Sequence, residues 1–141
     1  MTVRIGFDLC LQINAAEVNA GPLLFAGKLQ GALEAPFQTF DGNELYPSLI
    51  EKAARLAHDI AEAQAFRDGN KRTAWLVTVV FLELNGVMLE VDQDEAAYVI
   101  RAIGRRDVDD QRMLDFAGLV EWFACCATGI SSTGATGSTR A

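Results

Sequence analysis

The sequence predicts an all-α single domain, a compact bundle of about six helices with a functional loop at the N-terminus of its central, most buried helix. Three observations predict it. The 141 residues suit one domain with one closed core. Apolar residues recur three and four apart through most of the chain, which is the helical period. Between those runs stand the breakers Gly21-Pro22, Pro36, Asp41-Gly42, Gly69 and Asn85-Gly86.

The first helix is expected over about residues 4–16, where Phe7, Leu9, Leu11 and Ile13 give a mixed pattern. A second is expected over about residues 23–33, ending before Pro36. Residues 39–43, with Asp-Gly at their centre, read as a loop. The third helix is expected to start near Pro47, a residue suited to a first turn because its missing N–H has no partner there anyway. Its buried stripe is Ile50, Ala53, Ala54, Ala57, Ile60 and Ala61, small enough for another helix to approach closely. A fourth, over about residues 70–85, is apolar on most of its circumference and so should be central, with Asn85-Gly86 as its C-terminal cap. Residues 87–91 form a short extended link. Asp92 with Glu95 marks an acidic start for a fifth helix that buries Ala96, Val99, Ile100 and Ile103. A sixth, over about residues 110–127, uses Met113, Phe116, Ala117, Val120 and Phe123, with Trp122 and Phe123 expected against the first helix and Cys125-Cys126 expected as small core residues. The Ser/Thr/Gly-rich segment 128–141 is expected to be a flexible tail after a domain at 1–127.

Composition excludes several functions. Half of the residues are hydrophobic, too many for a disordered chain. A net charge of −7 argues against a nucleic-acid partner, which needs a basic face. A single histidine excludes zinc sites built from two or three imidazoles. Three cysteines, two of them adjacent, suit neither a disulfide framework nor a zinc knuckle. No stretch is long and apolar enough to span a bilayer, and the first residues lack the design of a secretion signal. The expectation is a cytoplasmic protein in a reduced compartment, with no membrane partner.

One segment carries chemistry: Gln64-Ala65-Phe66-Arg67-Asp68-Gly69-Asn70-Lys71-Arg72-Thr73. Three cations and one carboxylate surround a Gly-Asn pair where a loop becomes the central helix. The first N–H groups of a helix have no internal acceptor, and its dipole adds positive potential there, so the place suits an anion. Lys71 and Arg72 in the first turn oppose that dipole, a local conflict that points to a bound anion. Asp68 beside phosphates is a natural magnesium ligand. The structural alternative is a basic helix start with solvated side chains, and Phe66 alone reads as a core anchor.

The segment resembles the active-site motif of the Fic/Doc family, in its death-on-curing (Doc-like) toxin branch. That motif runs His, any residue, Phe, any residue, Asp, Gly or Ala, Asn, Lys, Arg, Thr. The resemblance extends to residues 29–40, Glu44-Leu45-Tyr46-Pro47, Glu51-Lys52-Ala53-Ala54 and Phe81-Leu82-Glu83-Leu84-Asn85-Gly86, about residues 22–103 in all. It implies an all-helical fold and a toxin that transfers phosphate from ATP, with magnesium, to a protein hydroxyl, in this branch a threonine of elongation factor Tu. It also implies an antitoxin protein acting in trans, because the inhibitory helix string of some members is absent from this sequence. Residue by residue, it implies Asp68 on magnesium, and Gly69 and Asn70 as the backbone and amide contacts to phosphate. Lys71 and Arg72 would neutralise charge, and Phe66 would anchor the loop.

Two departures matter. The AMP-transferring branch has Gly before the motif arginine and a second arginine three residues after it. Here those positions are Lys71 and Trp75, which favours phosphate over AMP transfer. The motif histidine is Gln64, whose amide cannot act as a general base near neutral pH. His58, one and a half turns upstream, reads as a surface or partly buried helix residue. An impaired enzyme and a catalytically silent protein that binds nucleotide or antitoxin are both open on these grounds.

Overall fold

The third helix shows how local sequence sets the frame. In the computed structural model, which describes residues 2–19, 21–103 and 116–129, helix α3 is Leu49–Ala63. Ser48 is its N-cap: the hydroxyl accepts from the Glu51 N–H at 3.0 Å, and the Glu51 carboxylate accepts from the Ser48 N–H at 3.0 Å. This capping box satisfies two otherwise orphaned donors. Pro47 therefore lies one residue before the cap rather than in the first turn. The predicted stripe is buried, with Ile50 only partly covered. Its alanines let helix α4 (Asn70–Leu84) lie close alongside.

The two helices share the centre. Around α3 pack α2 (Ala26–Glu34) and α6 (Phe116–Cys126), and against α4 pack α1 (Phe7–Ile13) and α5 (Gln93–Ala102). These six helices match the predicted all-α class. The core is one cluster in which Phe81, Phe123, Leu29, Leu56, Ile60 and Leu82 are fully buried. Trp122 meets Trp75 of α4 edge-on at 5.9 Å, so α6 closes on α3 and α4, not on α1.

Other expectations are corrected by competing local chemistry. Helix α1 is shorter than predicted because residues Asn14–Val18 widen into a π-turn that ends on left-handed Asn19. Its buried face is Cys10 and Asn14, while the four apolar residues of the mixed pattern are only partly covered. Helix α2 starts at Ala26 because the N–H groups of Leu24 and Phe25 are both donated to the Ala65 carbonyl, at 2.7 and 3.0 Å. Pro36 sits in a 3₁₀ turn, Ala35–Phe37.

The expected loop is a small hairpin, β1 (Thr39–Phe40) with β2 (Asn43–Glu44), turned on left-handed Asp41 and Gly42. The expected link is β3 (Val87–Leu89), paired antiparallel with β4 (Ala127–Gly129). That strand takes in the first two residues of the segment expected as a tail, and 130–141 lie outside the described residues. Met113 and the predicted start of α6 also lie outside them. Asp92 caps α5 by accepting from the Glu95 N–H at 2.8 Å, and Val99, Ala102 and Ile103 are buried. Ala117 and Cys125 are exposed, contrary to expectation, because α6 turns only the Leu119–Phe123–Cys126 face inward.

Asn85 closes α4. Its amide accepts from the Val3 N–H at 2.7 Å and donates to Val3 and Phe81 carbonyls at 2.9 and 2.8 Å. Lys52, a buried cation the sequence reading passed over, joins the hairpin to α3. Its ammonium donates to the Glu44 carboxylate at 2.6 Å and to the Tyr46 carbonyl at 2.5 Å. No helix among the described residues is long and apolar enough to cross a membrane.

Ser48→Ala is expected to lower stability by about 1 kcal/mol in urea unfolding, the usual value of an N-cap side chain. A second expectation concerns the thiols. Burial pushes Cys10 up to about 11, so a thiol reagent at pH 8 should modify Cys125 in the native protein and reach Cys10 only after unfolding.

Candidate active site

The loop between α3 and α4 is built by three features of the motif. Helix α3 ends at Gln64, which adopts a left-handed conformation (φ 46°). Gly69, at φ 74°, occupies the N-cap of α4 in a conformation that a side chain would strain, and it supplies no side-chain cap. The first-turn N–H groups of α4 are therefore left facing outward. Between them, Phe66 is buried and anchors the loop, as predicted.

Asn70 holds the loop shut. Its amide oxygen accepts from the Phe66 N–H at 2.9 Å, and its amide nitrogen donates to the Phe66 carbonyl at 2.9 Å. This two-point clamp uses the very amide that the resemblance assigned to a ligand, so what Asn70 offers to the outside is its backbone N–H. The loop also forms a rung with the N-terminal segment. Leu23 bridges Phe66, and the Arg67 N–H donates to the Pro22 carbonyl at 2.9 Å.

Outside this scaffold lies a cleft of about 370 Å³ lined by Ala61, Gln64, Arg67, Asp68, Gly69, Asn70, Lys71 and Arg72. The structure thus gathers the predicted polar site residues on one wall and keeps Phe66 beneath them. Three cations stand against one carboxylate. Arg67, Asp68 and Arg72 are exposed and form no ion pair among the described residues. Lys71 differs. Its ammonium donates to the carbonyl of Arg101 at 3.1 Å, near the C-terminal end of α5. A cation there meets the negative pole of a helix and an otherwise unpartnered carbonyl. The conflict read from the sequence, two cations on the positive pole of α4, is partly relieved by a second helix of opposite sense.

Arg67, counted in the sequence as one of three cations but given no role of its own, lines the cleft at a motif position that any residue can fill. One residue was missed altogether. Asn14, 59 positions upstream, is buried and donates to the Thr73 hydroxyl at 2.9 Å. That hydroxyl in turn donates to the Gly69 carbonyl at 2.8 Å. No local pattern announces such a contact. His58 is partly buried on α3, within 3.3 Å of an Asp59 oxygen and 3.9 Å of a Glu62 oxygen, and it does not line the cleft.

The family model described as "Fic/DOC family" matches residues 11–82. The chain belongs to the Fic/Doc family. A curated relative named "Toxin Doc", from Mycolicibacterium smegmatis (strain ATCC 700084 / mc(2)155), is 38% identical over 72% of this chain and 86% of its own length. No solved structure matches the chain. The Fic/Doc match begins in α1 and ends in α4, so it contains the whole loop, its clamp and the residue that braces it from the N-terminal side.

Asn70→Ala is expected to cost about 2 kcal/mol in urea unfolding, since two hydrogen bonds go and the groups of buried Phe66 lose their partner. Asn70→Asp keeps the acceptor and loses the donor, so it should fall between the two.

Proposed function

We propose that this chain is a Doc-like toxin whose cleft takes magnesium–ATP, in a family built for phosphate transfer to a protein hydroxyl, and that Gln64 impairs the transfer. One observation carries the reading: a helix start with free N–H groups, an uncapped glycine and three cations, beside one exposed carboxylate. That set fits a polyphosphate. Asn70, Lys71 and Arg72 offer backbone donors to its oxygens, and the Arg67 and Arg72 guanidinium groups offset its charge. Among the described residues no group of three or more His, Cys, Asp or Glu could cage a metal. Magnesium held by Asp68 would draw its other ligands from phosphate and water, as it commonly does. When bound, it supplies further neutralisation of phosphate charge.

In the transfer, an acceptor hydroxyl oxygen bonds to the terminal phosphorus, the bond from that phosphorus to the ADP oxygen breaks, and the hydroxyl proton leaves. The chain's contribution is positioning and charge stabilisation, which dominate phosphoryl transfer. Gln64 stands at the cleft where the family's motif places the proton acceptor, and its amide cannot take that proton. The acceptor proposed is a translation factor, as in the Doc-like branch, in the cytoplasm, and the restraining partner is an antitoxin in trans. A second reading, a catalytically silent protein that holds nucleotide or antitoxin, is favoured by the same Gln64 together with a cleft lining that does not include His58.

Calorimetry should detect magnesium–ATP binding by the unsubstituted chain, and Arg72→Ala should weaken it at least about tenfold. Gln64→His should raise labelling of a bacterial protein from γ-labelled ATP by about 100- to 10,000-fold, the usual worth of a general base. Label from α-labelled ATP instead would mean AMP transfer. Binding without labelling in Gln64→His would leave the silent reading, and absence of binding would sink the enzyme reading and leave only a protein that holds antitoxin.

A further inference from the structure

We infer that Asn14 is a positioning residue for the phosphate cleft, acting through Thr73 on the peptide that opens helix α4. The inference rests on the nucleotide reading of that cleft. Three bonds form a directional relay. Thr73 has a single hydroxyl proton and gives it to the Gly69 carbonyl at 2.8 Å. Asn14 must therefore present its NH₂ to the Thr73 oxygen, which it does at 2.9 Å. The Thr73 backbone N–H also donates to Gly69, at 2.9 Å. The Gly69 carbonyl is thus held twice from inside the fold.

The geometry of the peptide carries that restraint outward. In a planar trans peptide the carbonyl and the following N–H point in opposite directions. Fixing the Gly69 carbonyl inward fixes the Asn70 N–H toward the cleft. Glycine at the N-cap makes the restraint necessary, because its backbone is the least constrained of any residue. Thr73 is fully buried and Asn14 nearly so. Two buried polar side chains are costly unless satisfied, and they satisfy each other here, 59 residues apart.

The same N-terminal segment touches the loop elsewhere. A Cβ built on Gly21 would stand 2.9 Å from the Arg67 Cβ and 3.1 Å from the Asp68 backbone nitrogen. This segment therefore backs the cleft from behind: Asn14 bonds Thr73, Gly21 lies against Arg67 and Asp68, Pro22 accepts from Arg67, and Leu24 and Phe25 donate to Ala65. Among the described residues of that segment, Asn14 is the one whose side chain hydrogen-bonds into α4, and it lies where α1 widens into its π-turn.

Two measurements test the relay. Asn14→Ala and Thr73→Val should each speed amide hydrogen exchange at residue 73 and Phe66 about tenfold, leaving Leu82 unchanged. Each should weaken magnesium–ATP binding about tenfold, and the double variant should be no worse than either alone, as for members of one chain of bonds. Thr73→Ser keeps the hydroxyl and should restore both readouts. Phe123→Leu, in the core and not in the cleft lining, should lower the melting temperature and move neither. Unchanged exchange at Phe66 in Asn14→Ala overturns the inference. So does unchanged affinity in a chain that binds, or strict additivity in the double variant. Should the unsubstituted chain bind no magnesium–ATP, the cleft reading falls, and the exchange comparison still decides the relay.

Discussion

The amide of Asn70, bonded at both ends to the backbone of Phe66, is the constraint from which the rest of the site follows. It ties the first residue of α4 to the loop that leads into it. With that tie made, the Phe66 ring drops into the core, Ala65 turns its carbonyl to the N-terminal segment, and the polar side chains are left outside. At the far end of the same helix Asn85 binds the backbone of Val3 at both its N–H and its carbonyl. One central helix is thus bracketed by two asparagine amides, each joining it to a segment without regular structure of its own. The first tie spans four residues and fixes the turn into α4, and the second spans 82 and registers the N-terminal segment on it.

The electrostatic arrangement is a division of labour among cations that look equivalent in sequence. Lys71 leans to the end of α5, whereas Arg67 and Arg72 stand free beside the cleft. The ammonium of Lys71 is a compact point donor suited to a single carbonyl. A guanidinium is a planar fork suited to paired oxygens. The chain therefore places the residue type that suits a helix end at the helix end, and keeps the residue type that suits phosphate for solvent. Lys71 thus ties the start of α4 to the end of α5.

Much of this was legible in the sequence where the cause is local. The apolar period of α3, the Asp92 cap of α5, the Asn85-Gly86 stop and the start of α4 at Asn70 all depend on residues within a few positions of one another, and all are present. What could not be read is what arises between distant segments. Leu24 and Phe25 lie within an expected helix, yet their N–H groups go to Ala65, 40 residues on, and the helix starts later. Asn14 has no pattern around it and is recognised only by the hydroxyl it meets. Lys52 was passed over and Cys125 misjudged for the same reason: burial of a lysine and exposure of a cysteine are set by which neighbour covers them. In the cleft, the polar motif residues do come together, and the Asn70 amide, expected on a ligand, is bonded to Phe66 instead.

Gln64 holds a backbone angle that most side chains avoid, and among residues with side chains it is asparagine, aspartate and histidine that tolerate it best. Glutamine gains nothing from that shape. The fold nonetheless keeps it, because the end of α3 and the buried ring of Phe66 two residues later leave the chain no other course. The left-handed end of α3 is therefore a property of the main chain, held from both sides, and the side chain at position 64 rides on a shape it does not itself create.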